Sequence, residues 1–554
     1  MQIARSTSPA RPIAPNALPP LRGGIILPRF RLPQTTGGMA LHLFGLIVAA
    51  AVLIPVGYLV FRAASGGEAA IRYLFSGRVM AIIGNTVVLV GAVVGAATVL
   101  AVLFAWLTTR TDVPFRRAWL ILGLLPLVIP SYIGAMTFAA AFGAKGYLQQ
   151  MLLPLGVERL PSIYGFFGAW LVITLFTYPY VALPLRAALL NTDPALEESG
   201  RSMGLSAFAT FRRVTFPQLR PALGVGMILA ALYTLSDFGA VAIMQYDSFT
   251  RVIFVQYTSS FNRGIAATLS LVLVVFAFGL IFLERRIASQ KKNYRAGVGA
   301  CRKHRVVALR GWKVPALLFC GGLVCLGVGV PGMVLAAWLA EGAAAGVTLP
   351  LLDGALLNTV TVSGAAALVV GVVALPMALL AVRSNGRWGR WIVQITFLGH
   401  GLPGLVIALA LVFVAANALP ALYQTLPILI FGYGVRFLPL SIGATRSALT
   451  QINPRLGDAS RSLGLSAWQT TRRVTLPLMR AGVLGGMALV FLNTMKELPT
   501  TLMLSPTGFR TLTTHLWTAQ TNGDWALAAA PALVIVAVSA LSLVFILRDG
   551  AGNH

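Results

Sequence analysis

Apolar runs of roughly twenty residues recur along the whole of this sequence. That recurrence constrains the fold most, because a helix of about that length is what crosses about 30 Å of hydrocarbon. About twelve runs stand near 41–61, 79–107, 118–141, 163–185, 222–244, 266–283, 314–340, 356–382, 391–415, 420–445, 481–504 and 525–547. Of the 554 residues, 57% are hydrophobic and only 10% charged, and the mean hydropathy is +0.82. Soluble domains carry about 25% charged residues, so lipid is the expected solvent and the fold class an all-α polytopic membrane protein.

The formal net charge of +28, from 43 Lys and Arg against 15 Asp and Glu, invites a nucleic-acid reading. A nucleic-acid binder gathers cations on one soluble face, whereas here they punctuate the apolar runs, so no nucleic-acid partner is expected. Taking the gaps alternately, 33 cations fall on one side and eight on the other, and only Arg436 and Lys496 lie inside runs. Cytoplasmic flanks are the cation-rich ones, so both termini of this multi-pass membrane protein are expected in the cytoplasm. Residues 1–40, rich in Arg and Pro without a signal-peptide layout, read as a disordered basic cytoplasmic tail. The ten cations of 285–313 read as a cytoplasmic linker held near anionic headgroups at about 1 kcal/mol per cation. Cys301, Cys320 and Cys325 lack metal-ligand spacing. His42, His304, His400, His515 and His554 form no cluster with the acids, so neither a resident metal site nor a cofactor is expected.

The chain repeats itself. Arg201 to Pro217, RSMGLSAFATFRRVTFP, matches Arg461 to Pro477, RSLGLSAWQTTRRVTLP, at 12 of 17 positions with an offset of 260. The same offset pairs Arg186 with Arg446 and Glu198 with Asp458, while Asn85-Thr86-Val87 and Asn358-Thr359-Val360 open the second span of each half at an offset of 273. Two six-span halves with the same orientation make a parallel repeat. The first half is expected over 41–284 and the second over 314–548, with cores near 79–285 and 356–547.

Between the fourth and fifth spans of each half lies a polar stretch of unusual order. Asp193-Pro194 supplies an N-cap and a proline at the first helical position. Gly204 fits a left-handed stop, Ser206 can cap a second helix carrying Phe211 and Val214, and Pro217 is expected to end it. Asn453-Pro454, Gly464, Ser466 and Pro477 repeat the plan.

This helix-Gly-helix hairpin resembles the EAA loop of ABC importer permeases, whose pattern is Glu-Ala-Ala, three residues, Gly, nine residues, Ile-x-Leu-Pro. Glu198-Ser199-Gly200, Gly204 and Val214-Thr215-Phe216-Pro217 match it, as do Asp458-Ala459-Ser460, Gly464 and Val474-Thr475-Leu476-Pro477. The resemblance implies a type I ABC importer transmembrane domain with two cytoplasmic ATP-binding subunits and a periplasmic substrate-binding protein as partners. It further implies that Glu198, Gly204, Arg212, Arg213, Pro217, Asp458, Gly464, Arg472, Arg473 and Pro477 couple those ATPases to the spans. Read without it, the four arginines only mark the cytoplasmic side and the two glycines only stop helices.

No lysine is followed by Ser or Thr, which the phosphate-binding loop requires, so ATP is expected to be used by the partner subunit and the chain to be no enzyme. Lys496-Glu497-Leu498-Pro499 with Gly508-Phe509-Arg510-Thr511-Leu512 is similar to ferric-iron permeases, which implies ferric iron as cargo. Thiamine, polyamine, sulfate and phosphonate permeases share the architecture. Ionisable residues at membrane depth are costly and face an interior or a wet cavity, so Asp237, Lys496 and Glu497, with Asp237 and Glu497 aligned by the offset of 260, are the candidate translocation pathway. Alternatively, Glu497 pairs with Lys496 or across helices and serves packing alone. An ion-gradient-driven secondary transporter would explain the repeat but not the duplicated hairpins.

Overall fold

The computed structural model describes residues 36–65, 67–259, 263–288, 306–346, 354–384 and 386–551; the expected tail up to residue 35 and the linker over 289–305 lie outside the described residues. Among the described residues nine helices are long and apolar enough to cross a membrane unaided: Gly38–Ser65, Gly77–Arg110, Phe166–Asn191, Phe208–Ser236, Gly264–Glu284, Arg310–Ala344, Ala355–Val382, Leu426–Gln451 and Trp468–Met495. Two further apolar stretches are bent, Arg116–Leu127 with Ser131–Leu155 by 98° and Arg387–Gly401 with Gly404–Ala418 by 104°. With the shorter apolar helix Trp525–Ala540, every apolar run of the sequence has its helix or bent pair.

The departures from straight spans have a common cause in proline. Pro130 and Pro403 stand at the two bends with extended backbone, ψ 141° and 135°; proline has no N–H for the helix ladder and pushes its predecessor out of the helical region. Pro217 and Pro477, expected to end helices, do not. Each sits in the first turn after a π-helical turn, Phe211–Thr215 or Thr471–Thr475, and the helix runs on to Ser236 or Met495. The widened turn absorbs the missing donor. The runs near 222–244 and 481–504 accordingly stop as helices at Ser236 and Met495, with short helices Gly239–Ile243 and Pro499–Leu504 beyond.

Packing follows the repeat. A Cβ at Gly226 would stand 2.8 Å from the Val181 Cα, and one at Gly486 would stand 3.1 Å from the Ser441 Cα. Small residues let helix backbones approach where lipid supplies no hydrophobic drive between helices. The opening span of each half crosses to the other half. Tyr58 of Thr36–Ser65 lies 6.4 Å from Phe413 by ring centroids and accepts from the Asn417 amide at 3.3 Å, and Gly45 abuts Leu380 and Ile392. In return, Gly327 abuts Pro126, and Tyr147 donates to Glu341 at 2.9 Å.

The end of the linker is pinned beside the second span. Val307 N–H donates to the Arg110 carbonyl at 2.8 Å, and Asp112 accepts from the Leu309 amide at 2.8 Å and faces Lys313 Nζ at 3.1 Å. That amide, with the ammonium, holds the Asp112 carboxyl below its ordinary value.

Candidate coupling hairpins and central cavity

Both hairpins fold as their capping residues dictate. Asp193 accepts from the Ala195 amide and Asn453 from the Arg455 amide, each at 3.0 Å, at the head of Pro194–Ser202 and Pro454–Ser462. Gly204 and Gly464 both have φ +84°, a backbone that glycine adopts without Cβ strain. Ser206 and Ser466 then accept from the amides three residues on, each at 3.2 Å. Glu198, Asp458, Arg212, Arg213, Arg472, Arg473, Pro217 and Pro477 are exposed. So are apolar side chains beside each glycine: Met203 and Phe208 are 76% and 73% exposed, Leu463 and Trp468 84% and 72%. Four large exposed apolar groups beside the two left-handed glycines form patches of the kind that mark interaction sites.

The acid that anchors the first hairpin is Glu197, which the sequence pattern did not single out. Its carboxylate faces Arg110 Nη2 at 3.1 Å and accepts from Thr215 at 3.0 Å, while buried Arg110 also donates to Thr192 and to the Leu189 carbonyl. The hairpin, the end of the second span and the incoming linker therefore meet at Arg110. At the position of Glu197 the second hairpin has Gly457. Arg110 could be seen in the sequence only as one of many side-marking cations.

The candidate pathway residues Asp237, Lys496 and Glu497 all line one cavity of about 310 Å³ between the halves. Asp237 follows the end of Phe216–Ser236, where its carboxylate accepts from the Ser131 hydroxyl and from the Ala240 amide at 2.9 Å. Glu497 holds an ion pair with Arg436 at 3.1 Å and accepts from the Thr500 hydroxyl at 2.8 Å. The local Lys496–Glu497 pair is thus not formed, since the guanidinium from the fourth span takes the carboxylate. Gly404 makes room for it: a Cβ there would collide with both Arg436 and Glu497. The cavity wall also carries Tyr180, Tyr233 and His400, and Phe238 packs on Trp517 across the halves at 5.3 Å.

The Asn-Thr motifs of the second spans hold this arrangement in place. Thr86 accepts from the Phe249 amide at 3.2 Å, and the next residue, Thr250, donates to the Asp237 carbonyl at 2.6 Å. Thr359 accepts from the Leu512 amide at 2.8 Å, and Thr513 donates to the Glu497 carbonyl at 3.4 Å. Asn85 and Asn358 donate to the carbonyls of Asp247 and Arg510. Each half thus hangs its cavity acid from its own second span.

Known proteins match this chain along most of its length. The family model described as the binding-protein-dependent transport system inner membrane component matches twice, at residues 97–289 and 368–549. The Fe(3+)-transport system permease protein FbpB 2 of Haemophilus influenzae is 33% identical over 516 residues, which are 92% of this chain and 98% of that protein. The ferric transport system permease protein FbpB of Actinobacillus pleuropneumoniae is 25% identical over 499 residues, 86% of this chain and 72% of that one. The sulfate transport system permease protein CysW of Escherichia coli is 26% identical over 260 residues, 45% of this chain and 88% of its own length.

Proposed function

The chain belongs to the family of binding-protein-dependent transport system inner membrane components, and on that footing we propose that it is the path by which ferric iron enters the cytoplasm. Members of this family are the membrane part of ABC importers and work with an ATPase and a substrate-binding protein. The cargo is read from the two ferric permeases that align with most of this chain. Two hairpins of equal geometry call for two copies of the ATP-binding subunit, one on each exposed apolar turn. The distribution of cations supports a cytoplasmic side for hairpins and termini, with iron released by the binding protein on the opposite, periplasmic side.

One observation carries the coupling. From Phe208 and Trp468 in the hairpins, continuous helices of 29 and 28 residues run to Ser236 and Met495, roughly 40 Å at 1.5 Å per residue. Asp237 stands at the far end of the first, and Lys496 and Glu497 at the far end of the second. A push on the hairpin therefore arrives at the cavity through a single rigid element. Glu198, Gly204, Arg212, Arg213 and Pro217, with Asp458, Gly464, Arg472, Arg473 and Pro477, form the coupling surface, and Asp237, Lys496 and Glu497 the pathway.

Reconstitution tests this. Proteoliposomes holding the purified chain alone should turn over no ATP, and adding the ATPase subunit and the iron-loaded binding protein should start both hydrolysis and uptake of radio-iron. Hydrolysis by the chain alone, or hydrolysis stimulated by the loaded binding protein with no iron entering, would refute it.

A further inference from the structure

The two walls of the cavity differ in charge, and the difference bears on what the cargo brings with it. On the second-half wall Arg436 is neutralised by Glu497 at 3.1 Å. Lys496, one residue away and lining the same cavity, has no carboxylate within 4 Å among the described residues. On the first-half wall Asp237 is held by the Ser131 hydroxyl and a backbone amide, with no cation within 4 Å among the described residues, and Tyr180 and Tyr233 stand beside it with ring centroids 5.2 Å apart. Two cations and two carboxylates cancel. A bare trivalent ion would leave such a site with all three of its charges uncompensated in a medium of low dielectric, next to an ammonium that repels it.

We propose, building on the ferric reading above, that the cavity admits iron as a complex with a small oxyanion or carboxylate chelator, with Lys496 donating to the anion. Asp237 and the two phenols form the opposite, oxygen-rich wall, which suits the metal side of the complex. An ammonium suits the anion side: it is a compact point charge with three donors and no fixed plane. Arg436 cannot take this part because Glu497 already holds it. The anion thus travels with the metal, and the permease reads both ends of the complex.

Dual-label uptake by the complete reconstituted transporter decides this. Radio-iron is supplied on the binding protein with labelled citrate, with labelled orthophosphate, or with neither. With the wild type, one of the labelled anions should accumulate in fixed proportion to iron, and iron uptake should fall when both are withheld. Lys496→Met should lower uptake of the anion-bearing cargo about tenfold, the loss of one charge-assisted contact, and Lys496→Arg should restore much of it. Iron entering unaccompanied and at equal rates with or without either anion would overturn the proposal. So would an anion entering without iron, or a Lys496→Met transporter that carries iron at the wild-type rate. The dual-label ratio needs no variant, so poor folding of one would not shield the idea. Failure of the wild type to take up iron under any condition would strike the ferric reading itself.

Discussion

The first half of the molecule builds its wall of the cavity from hydroxyls and one short acid; the second half builds its wall from a charge network. At the offset of 260, Phe176 stands where the second half has Arg436, Ser236 where it has Lys496, and Tyr233 where it has Asn493. At the offset of 273, Ser131 stands where it has Gly404. The pairing is physically consistent on each side: a short Asp237 is met by the Ser131 hydroxyl, while a longer Glu497 with a guanidinium needs the space that a glycine leaves. At the hairpins the asymmetry is reversed, with the charged anchor Glu197–Arg110 in the first half and Gly457 in the second. What stays common is the main-chain scaffold, the caps, the left-handed glycines and the threonine links to the cavity acids. The two halves share a backbone scaffold and differ in the side chains that the scaffold carries.

The comparison is open to attack first where the halves are equal. Gly204→Pro and Gly464→Pro should each abolish radio-iron uptake while the chain still inserts, because proline cannot adopt φ +84° and the local strain is about 3 kcal/mol or more. Uptake surviving in either variant would show that only one hairpin is needed. Next comes Glu497→Gln, which removes a buried acid and strands a partly buried Arg436, and should lower stability in detergent by about 3–4 kcal/mol, toward the low end for a buried pair, read as a drop in the thermal midpoint. Adding Arg436→Met should recover most of the loss; adding Lys496→Met instead should not, since Lys496 is not the partner.

Glu197→Gln breaks a pair whose acid is partly exposed, so about 2–3 kcal/mol is expected, toward or below the low end for a buried pair. ATPase stimulation should fall with it. Asp237→Asn leaves no cation stranded and keeps an acceptor for Ser131, so its stability loss should be about 1 kcal/mol, well below that of Glu497→Gln. Equal losses at the two acids would erase the distinction between the walls. Smallest of all is Gly457→Ala: nothing lies within 4 Å of the added methyl, and the helix should gain at most about 1 kcal/mol, with uptake unchanged.

Much of this was legible in the sequence because it is local. Run lengths gave the helices, and Asp193, Asn453, Gly204 and Gly464 announced the hairpins through chemistry that acts within a few residues. A fixed offset brought Asp237 and Glu497 to one place. The rest depends on residues distant along the chain. Arg436 meets Glu497 from 61 positions away and Arg110 meets Glu197 from 87 away, and neither pairing has a spacing rule. Pro130 and Pro403 bend their spans while Pro217 and Pro477 do not stop theirs. No residue pattern marks the π turns before Pro217 and Pro477, and Pro179 and Pro439 lie inside unbroken helices, so a proline by itself does not announce a bend.

The crossing of the opening spans has a consequence in time. Tyr58 is bonded to a residue 359 positions further on. At the pace of synthesis, about 5–20 residues per second, the first span therefore spends roughly 20–70 s in the bilayer before the surface it fits has been made. During that wait its small residues, Gly45 among them, are open to wrong neighbours, and closure must await the second half. Joining both halves in one polypeptide ensures that when the late surface arrives, it arrives within reach of the span that has been waiting for it.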